Sequence, residues 1–148
     1  ATRLPQWHFR FVRGIVAAST NQAATWQKIS ANIDSIDYLA AEELAQTLAQ
    51  AAHIVCRSGY STLMDLRRIG TVAPVLIPTS GQTEQEHLAA QWAAQGCAVA
   101  TAETNLDLAA ALNAASALPA LPFIDANNEL LQNAVDLFLQ CVGAAKKI

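Results

Sequence analysis

Apolar residues along the chain show two different patterns. Some form short continuous runs, and others recur with helical spacing over longer stretches. The short runs, rich in β-branched and aromatic residues, predict strands in "WHFRFVRG", "NIDSIDYL", "HIVC", "APVLIP" and "CAVA". The longer Ala- and Leu-rich stretches predict helices in "AEELAQTLAQAA", "TLMDLRRIG", "TEQEHLAAQWAAQG" and "LDLAAALNAAS", with a last helix in "NELLQNAVDLFLQCV". Because strands and helices alternate, the pattern predicts an α/β fold, a Rossmann-like three-layer domain with a mostly parallel sheet.

Glycines, prolines and one ambiguous stretch mark the connections between these elements. Gly70 and Gly96 each follow a predicted helix, at the position where a left-handed C-cap favours Gly. Pro119 and Pro122 predict a linker before the last helix. The stretch 19–31, "STNQAATWQKISA", is compatible with a loop and with a poor helix, and the pattern does not decide between them.

The length and the apolar content indicate one compact domain. The chain has 148 residues, of which 53% are hydrophobic, so residues 1–148 are expected to form a single domain that buries most of its apolar surface. The chain opens with "ATRLPQW", which has neither an initiator Met nor the features of a signal peptide, and this start predicts a fragment of a longer protein. No apolar stretch approaches the length of a membrane helix, which predicts a soluble domain.

Charge and cysteine content exclude several classes of function. The formal net charge is −3 and the nine Lys and Arg residues are scattered, whereas nucleic-acid-binding proteins cluster them, so no nucleic-acid partner is predicted. The cysteines are odd in number and lie in apolar surroundings, which indicates buried thiols in a reducing compartment: Cys56, Cys97 and Cys141. Neither they nor the three histidines have zinc-binding spacing, and we expect no metal and no cofactor.

Two loops concentrate the polar residues of the predicted sheet. "RSGYSTLMD" follows the strand that ends at Cys56, and "PTSGQTEQEH" follows the strand that ends at Pro78. In an open parallel sheet, ligands bind at the carboxyl ends of the strands, where loops lead into helix N-termini. Both loops carry a Gly, which lets the backbone approach a ligand, and the free N–H groups of the following helix attract anions. The first loop therefore predicts a diphosphate site.

A purely structural interpretation of the same loops also fits the pattern. Thr62 and Asp65, and likewise Thr83 and Glu86, have the spacing of a capping box, in which a hydroxyl and an acid satisfy orphan N–H groups of a helix. On pattern alone this interpretation is favoured over ligand binding. Capping does not account for the other polar residues and the glycine of the two loops, namely Arg57, Ser58, Gly59, Ser61, Gln82 and Gln85.

Together the two loops resemble the C-terminal, nucleotide-sugar-binding domain of the GT-B glycosyltransferases. The likeness rests on "CRSGYSTLMD" and "PTSGQTEQEHLA", which are separated by a helix and the strand "APVLIP". Within that class it is to glycosyltransferase family 28, which includes the peptidoglycan enzyme that adds N-acetylglucosamine to a lipid-linked muramoyl-pentapeptide. The resemblance covers mainly residues 38–100, and residue type, spacing and order agree in both motifs.

The resemblance implies a role for each position of the first motif. The loop amides after the Gly and the Thr hydroxyl hold the diphosphate of the donor, and Asp65 stands where the family has a Glu that binds the ribose hydroxyls. Arg57 is expected to offset diphosphate charge or, equally, to pair with a local acid. The donor-binding residues of this motif are Arg57, Ser58, Gly59, Tyr60, Ser61, Thr62 and Asp65.

The resemblance implies that the second motif binds the sugar of the donor. Its donor-binding residues are Gly81, Gln82, Gln85 and Glu86. The family has Gln at both of the last two positions, so the Glu in this chain leaves the identity of the sugar open. Backbone groups of the loop at 38–41 are implied to hold the uracil.

For the intact protein, the resemblance implies inverting transfer of a hexosamine-type sugar from a UDP-sugar to an acceptor alcohol. The acceptor would be a lipid-linked or small-molecule glycan, at a cytoplasmic location peripheral to the inner membrane face. No Asp-x-Asp motif occurs in the chain, so helix N-terminal amides and hydroxyls, instead of a metal, would stabilise the leaving group. Two alternatives stay open: a UDP-sugar hydrolase or epimerase of GT-B architecture, and a non-catalytic interaction domain.

The resemblance also implies that two parts of the intact protein lie outside this sequence. In the family, the acceptor site and the catalytic base belong to an N-terminal domain, so this chain alone is expected to be inactive. A first strand and helix also precede the strand that matches "WHFRFVRG", and that first strand is central in the sheet. We therefore expect a gap in the sheet that is relieved by a second copy in a homodimer, by a rearranged strand or by a longer polypeptide.

Overall fold

The computed structural model describes residues 4–15 and 25–122. In chain order they form β1 (Phe9–Val12), β2 (Gln27–Ser30), β3 (Ile33–Ile36), α1 (Ala41–Ala49), β4 (Val55–Cys56), α2 (Tyr60–Ile69), β5 (Val75–Leu76), α3 (Thr83–Ala94), β6 (Val99–Ala100) and α4 (Leu108–Ser116). This alternation confirms the predicted α/β class. The predicted last helix lies outside the described residues, as does Cys141.

The five predicted strands and the four predicted helices within the described range are confirmed, each with ends a few residues from the prediction. The ambiguous stretch contains β2, which pairs antiparallel with β3 and was not predicted. Asn32, in the turn between these two strands, donates its side-chain amide to the backbone carbonyls of Leu4 and Trp7. The hairpin therefore depends on contacts with the start of the chain, which the local pattern of 19–31 does not contain.

The strands form two three-stranded sheets. In the first, β3 lies between β1, which is parallel to it, and β2. In the second, β4, β5 and β6 lie side by side and are all parallel. In the described part of the chain, no ladder connects β1 to β4, so the mostly parallel sheet of the prediction is divided into two.

A slot separates the two sheets. The slot has a volume of about 700 Å³ and is lined by all of β1, by one side of α1 and by residues 50–56. Phe9 and Arg13 donate their N–H groups to carbonyls beside and within β3, so the alternation of a parallel strand turns the N–H groups of Arg10 and Val12 towards the slot. Val55 of β4 faces the slot for the same reason, since its neighbours Ile54 and Cys56 bond to the β5 side.

The strand β1 is uncovered on both faces as well as on this edge. Phe11 and Val12 point to opposite faces of the sheet, and their exposed fractions are 48% and 36%. The strands of a parallel α/β sheet are usually covered on both faces by helices. Among the residues that the structure describes, the first sheet therefore lacks the helical cover that the second sheet has.

The core is centred on the second sheet and has two faces. On one face, buried residues of α2 and α3 pack with Leu76 of β5, among them Leu63, Leu66 and Trp92. On the other face, Val75 packs with Leu112 and two buried alanines of α4. Since adjacent strand residues point to opposite faces, β5 is covered on both sides and the three-layer arrangement is built around it.

Two glycines end helices as predicted. Gly70 terminates α2 with φ of +72° and donates its N–H to the carbonyl of Leu66. Gly96 follows α3 with φ of +68°. Only Gly adopts this left-handed conformation without strain, so both positions are explained by the fold alone. Within residues 4–15 and 25–122, no helix is long and apolar enough to cross a membrane.

Candidate functional site

The two motif loops lie at one edge of the second sheet. The first runs from the end of β4 to Gly59, and the second runs from the end of β5 to Gln82. Because β4 and β5 are parallel neighbours, both loops leave the carboxyl edge and deliver α2 and α3 with their N-termini at that edge. The predicted site residues are therefore brought together.

The N-terminus of α2 is uncapped. Gly59 is the N-cap, and no side chain accepts a hydrogen bond from the first turn. The first intrahelical bond runs from the N–H of Leu63 to the carbonyl of Gly59, at 3.0 Å. The N–H groups of the three residues between them, Tyr60, Ser61 and Thr62, thus have no acceptor in the described part of the chain. Three free amides and the positive end of the helix dipole form an anion-binding geometry.

The capping-box interpretation is wrong for both loops. The helix α2 begins at Tyr60, three residues earlier than a capping Thr62 requires, so Thr62 lies inside the first turn and Asp65 in the second. The helix α3 begins at Thr83 itself, and its N-cap is Gln82, without a side-chain capping bond. Capping by Thr62 and Thr83 therefore does not explain these hydroxyls.

The polar side chains of α2 remain available at this edge. Tyr60, Ser61 and Asp65 are exposed and Thr62 is half-buried. None of these four side chains has a hydrogen-bond partner among the residues that the structure describes. They can bind a ligand without breaking a bond within the described fold.

The second loop is closed by its own side chains. Gln85 accepts the N–H of Thr79 through Oε1 at 3.0 Å and donates through Nε2 to Oε1 of Gln82 at 2.5 Å. Glu86 accepts the N–H of Gly81 through Oε1 at 3.1 Å. Gly81 has φ of +81°, which favours Gly in this turn. Gln85 and Glu86, in the first turn of α3, therefore shape the loop that precedes this helix.

Arg57 and Ser58 connect the two loops. The Ser58 side chain is fully buried, and its hydroxyl donates to the backbone carbonyl of Gln85 at 2.7 Å. Arg57 donates through Nη1 to the carbonyls of Ile77 and Pro78, both at 3.1 Å, and through Nη2 to Glu103 at 3.1 Å. Of the two outcomes expected for Arg57, the pair with a local acid is present.

Charge distinguishes the two helix N-termini. The first turn of α3 carries Glu84 and Glu86, which repel an anion, whereas the first turn of α2 carries no acid. Since both helices present uncapped amides, the charge difference favours anion binding at α2. A neutral, hydroxyl-bearing part of the same ligand is better suited to α3.

Burial shifts the pKa of two titratable groups in and next to β4. Burial raises the pKa of the Cys56 thiol to about 12, so the thiol stays protonated and weakly nucleophilic near neutral pH. Burial lowers the pKa of His53, whose ring makes an edge contact with Trp7 at a centroid distance of 4.3 Å. In the described ranges, no cluster of three or more His, Cys, Asp or Glu residues could hold a metal ion.

The sequence reasoning missed two residues of this edge. Glu103 binds Arg57 from the segment after β6, and Thr79 is the N–H donor that Gln85 holds. A signal for Glu103 existed, because it is the first acid after the third parallel strand, and that strand ends at the same edge. The segment 38–41, implied to hold the uracil, follows β3 and reaches the first residue of α1, and Tyr38 there is exposed.

The fold and the paired helix N-termini define an α/β ligand-binding domain of the Rossmann-like class. Comparison with known families then identifies it: residues 7–134 match the glycosyltransferase family 28 C-terminal domain. The match spans most of the 148 residues, and the chain belongs to this family. No curated protein and no solved structure matches the chain.

A substitution at Ser58 tests the bond between the loops. Ser58→Ala removes the donor to a buried carbonyl, and we expect the free energy of unfolding to fall by about 1–3 kcal/mol. Ser61→Ala is the matched control, because this exposed hydroxyl has no partner among the described residues, and it should change stability by less than about 0.5 kcal/mol. Urea unfolding measures both, and equal effects would contradict the assignment.

Proposed function

We propose that this chain is the donor-binding domain of an inverting glycosyltransferase that transfers a hexosamine-type sugar from a UDP-sugar to an acceptor alcohol. Membership of glycosyltransferase family 28 supports the reaction class. The single observation that carries the assignment is the uncapped N-terminus of α2, with its three free amides and its unbonded hydroxyls. The chain by itself is expected to bind the donor without transferring the sugar.

The diphosphate is bound by the first turn of α2 in this proposal. The amides of Tyr60, Ser61 and Thr62 donate to its oxygens, and the hydroxyls of Ser61 and Thr62 add further donors. Negative charge that develops on the leaving UDP is stabilised by the same amides and the helix dipole. Asp65, one turn further along α2, accepts the ribose hydroxyls.

The sugar is bound by the second loop. Gln82 keeps both hydrogens of its amide nitrogen, and Gln85 keeps one, after the bonds that close the loop are made. These donors suit a vicinal diol of a sugar ring. The resemblance to the peptidoglycan enzyme supports a hexosamine, and the loop at 38–41 is assigned to the uracil.

Titration with UDP in the presence of a chelator tests the proposal. We expect amide chemical shifts to move at residues 57–65 with UDP at about millimolar concentration, without added metal, because amides and hydroxyls supply the phosphate contacts. ADP and GDP serve as controls for the base. If saturating UDP left residues 57–65 unmoved, the chain would not be a UDP-sugar-binding domain of this kind.

Asp65→Asn tests the ribose contact. The substitution removes the charged acceptor, and we expect about a tenfold loss of UDP affinity, since a hydrogen bond to a charged group contributes about 1.5–3 kcal/mol. Binding of 2′-deoxy-UDP should change much less, because one of the two hydroxyl partners is already missing. Isothermal titration measures both ligands, and equal losses would show that Asp65 does not bind the ribose.

We further propose that the slot between β1 and β4 is where the domain is completed. Any strand that fills it must pair on both edges, and every described strand is already paired on at least one edge. A folded second copy therefore offers no suitable strand among its described elements. A strand and helix joined ahead of Trp7 in a longer polypeptide would fill the slot and cover Phe11 or Val12.

A further inference from the structure

Pro78 leaves backbone carbonyls at the end of β5 that need a donor. Proline has no N–H group and interrupts the ladder beyond β5, so the carbonyls of Ile77 and Pro78 lie past the last strand pair. An unpaired carbonyl at such a position requires a side chain or water. The guanidinium of Arg57 reaches across from the end of β4 and donates to both carbonyls.

Arg57 uses its second terminal nitrogen on the residue that follows the third strand. Its Nη2 donates to Glu103, which follows β6, so one side chain joins the carboxyl ends of β4, β5 and β6. The adjacent Ser58 holds the carbonyl of Gln85, at the first turn of α3. The segment between Ile77 and Gln85 is therefore fixed at both ends by two successive residues of the first motif.

We propose that Arg57 is a positioning residue for the second loop, which is proposed to bind the sugar, and that Arg57 does not contact the diphosphate. We call Arg57, Ser58 and Glu103 the clasp. The clasp holds the loop 79–86 against the first turn of α2, so that Gln82 and Gln85 stay oriented towards the donor. The inference rests on the proposed function, and it assigns Glu103 to the site for the first time.

The hydrogen bonds of Arg57 favour a positioning role over a direct phosphate contact. Both terminal nitrogens of Arg57 are engaged by three oxygens, two of them backbone carbonyls that move only with the loop. The ion pair with Glu103 is half-exposed on both sides and is weak by itself. Three of the five N–H groups of Arg57 are used in these bonds, so a phosphate that bound both terminal nitrogens would have to displace the carboxylate or the carbonyls.

The two roles predict different ligand responses for Arg57→Ala. A positioning residue affects the sugar, so we expect the Kd of UDP-N-acetylglucosamine to rise about tenfold while the Kd of UDP changes by less than about twofold. A phosphate contact would weaken both ligands equally, and that outcome would overturn the proposal. Arg68→Ala, which removes an exposed charge from the far end of α2, is the matched control and should change neither Kd.

Two further variants test how the charges of Arg57 and Glu103 contribute to the clasp. Arg57→Lys keeps the charge and loses the planar fork that bridges the carbonyls and the carboxylate, so it should behave like Arg57→Ala. Rescue by Lys would indicate a phosphate contact. Glu103→Gln should leave the Kd of UDP unchanged and raise that of the sugar nucleotide about twofold to threefold, whereas tighter UDP binding would show that Glu103 competes with phosphate for Arg57.

Hydrogen exchange without any ligand separates failure of the clasp from failure of the proposed function. In Arg57→Ala, the amides of Thr79, Gly81 and Gln82 should exchange about tenfold faster, because each is bonded within the loop. Unchanged exchange in this variant overturns the clasp whether or not UDP binds. If the wild-type chain binds no UDP, but exchange of the loop amides is faster in Arg57→Ala than in the wild type, the clasp is supported and the donor assignment is wrong.

Discussion

Gly59→Ala is expected to abolish most UDP binding while leaving the fold intact. Gly59 has φ of −69° and ψ of 142°, a conformation that any residue adopts, so its backbone does not require Gly. A Cβ at this position would meet nothing described closer than the Thr62 hydroxyl, at 4.0 Å. Neither strain nor crowding within the described fold explains this Gly, whereas close approach of the proposed diphosphate would explain it.

The expected magnitude follows from the position of that methyl group. It would stand at the uncapped turn where the diphosphate is proposed to lie, so we expect the Kd of UDP to rise at least about tenfold. The melting temperature should change little, because Gly→Ala restricts the unfolded chain but replaces Gly with a less favourable N-cap residue. Isothermal titration and thermal unfolding on the same samples measure the two effects.

Gly70→Ala is the matched control and should show the reverse pattern. Gly70 has φ of +72° at the other end of the same helix, so Ala there should cost about 1 kcal/mol of stability. The Kd of UDP should not change, because Gly70 lies a whole helix away from the ligand. Normal UDP binding by Gly59→Ala would place the diphosphate elsewhere.

Filling the slot is expected to have the second large effect, on hydrogen exchange. In the chain of 148 residues, the slot-facing amides of Arg10, Val12 and Val55 should exchange rapidly, since no described acceptor faces them. In a longer polypeptide that supplies the strand proposed for the slot, the same amides should slow by about a hundredfold or more. Phe9 and Arg13 are internal controls, because their amides already bond to the β3 side.

Two results would contradict the proposal for the slot. Rapid exchange at Arg10 and Val55 in the longer polypeptide would show that its added strand pairs elsewhere. Slow exchange in the chain of 148 residues that depends on protein concentration would show that a second copy fills the slot, through residues outside those described. Exchange measured at two concentrations separates these cases.

Much of the fold was predictable because its signals are local. The apolar run "APVLIP" and the helical spacing of "TEQEHLAAQWAAQG" identify β5 and α3 without reference to the rest of the chain. The strand β2 was not predictable, since it forms by pairing with β3 in a hairpin supported by Asn32. The division into two sheets was not predictable either. It depends on what lies between β1 and β4, and no local sequence pattern indicates this.

The candidate site was predictable in composition and less so in role. Residue types in the two motifs identified the correct edge of the sheet, but they did not reveal which side chains face a ligand and which face the protein. Ser58 and Ser61 are three positions apart and chemically identical, yet one is fully buried on the carbonyl of Gln85 and the other is exposed. Only the start of α2 at Tyr60 decides between these environments.

The bond from Ser58 to the Gln85 carbonyl has a consequence for the evolution of donor specificity. It ties the first turn of α3 to the end of β4, so the two loops proposed to bind the diphosphate and the sugar are mechanically coupled. Substitutions in the two loops should then be non-additive, as expected for residues that share a bond. A second loop grafted from a relative with another donor would function here only together with the residues that stand at 57 and 58 in that relative.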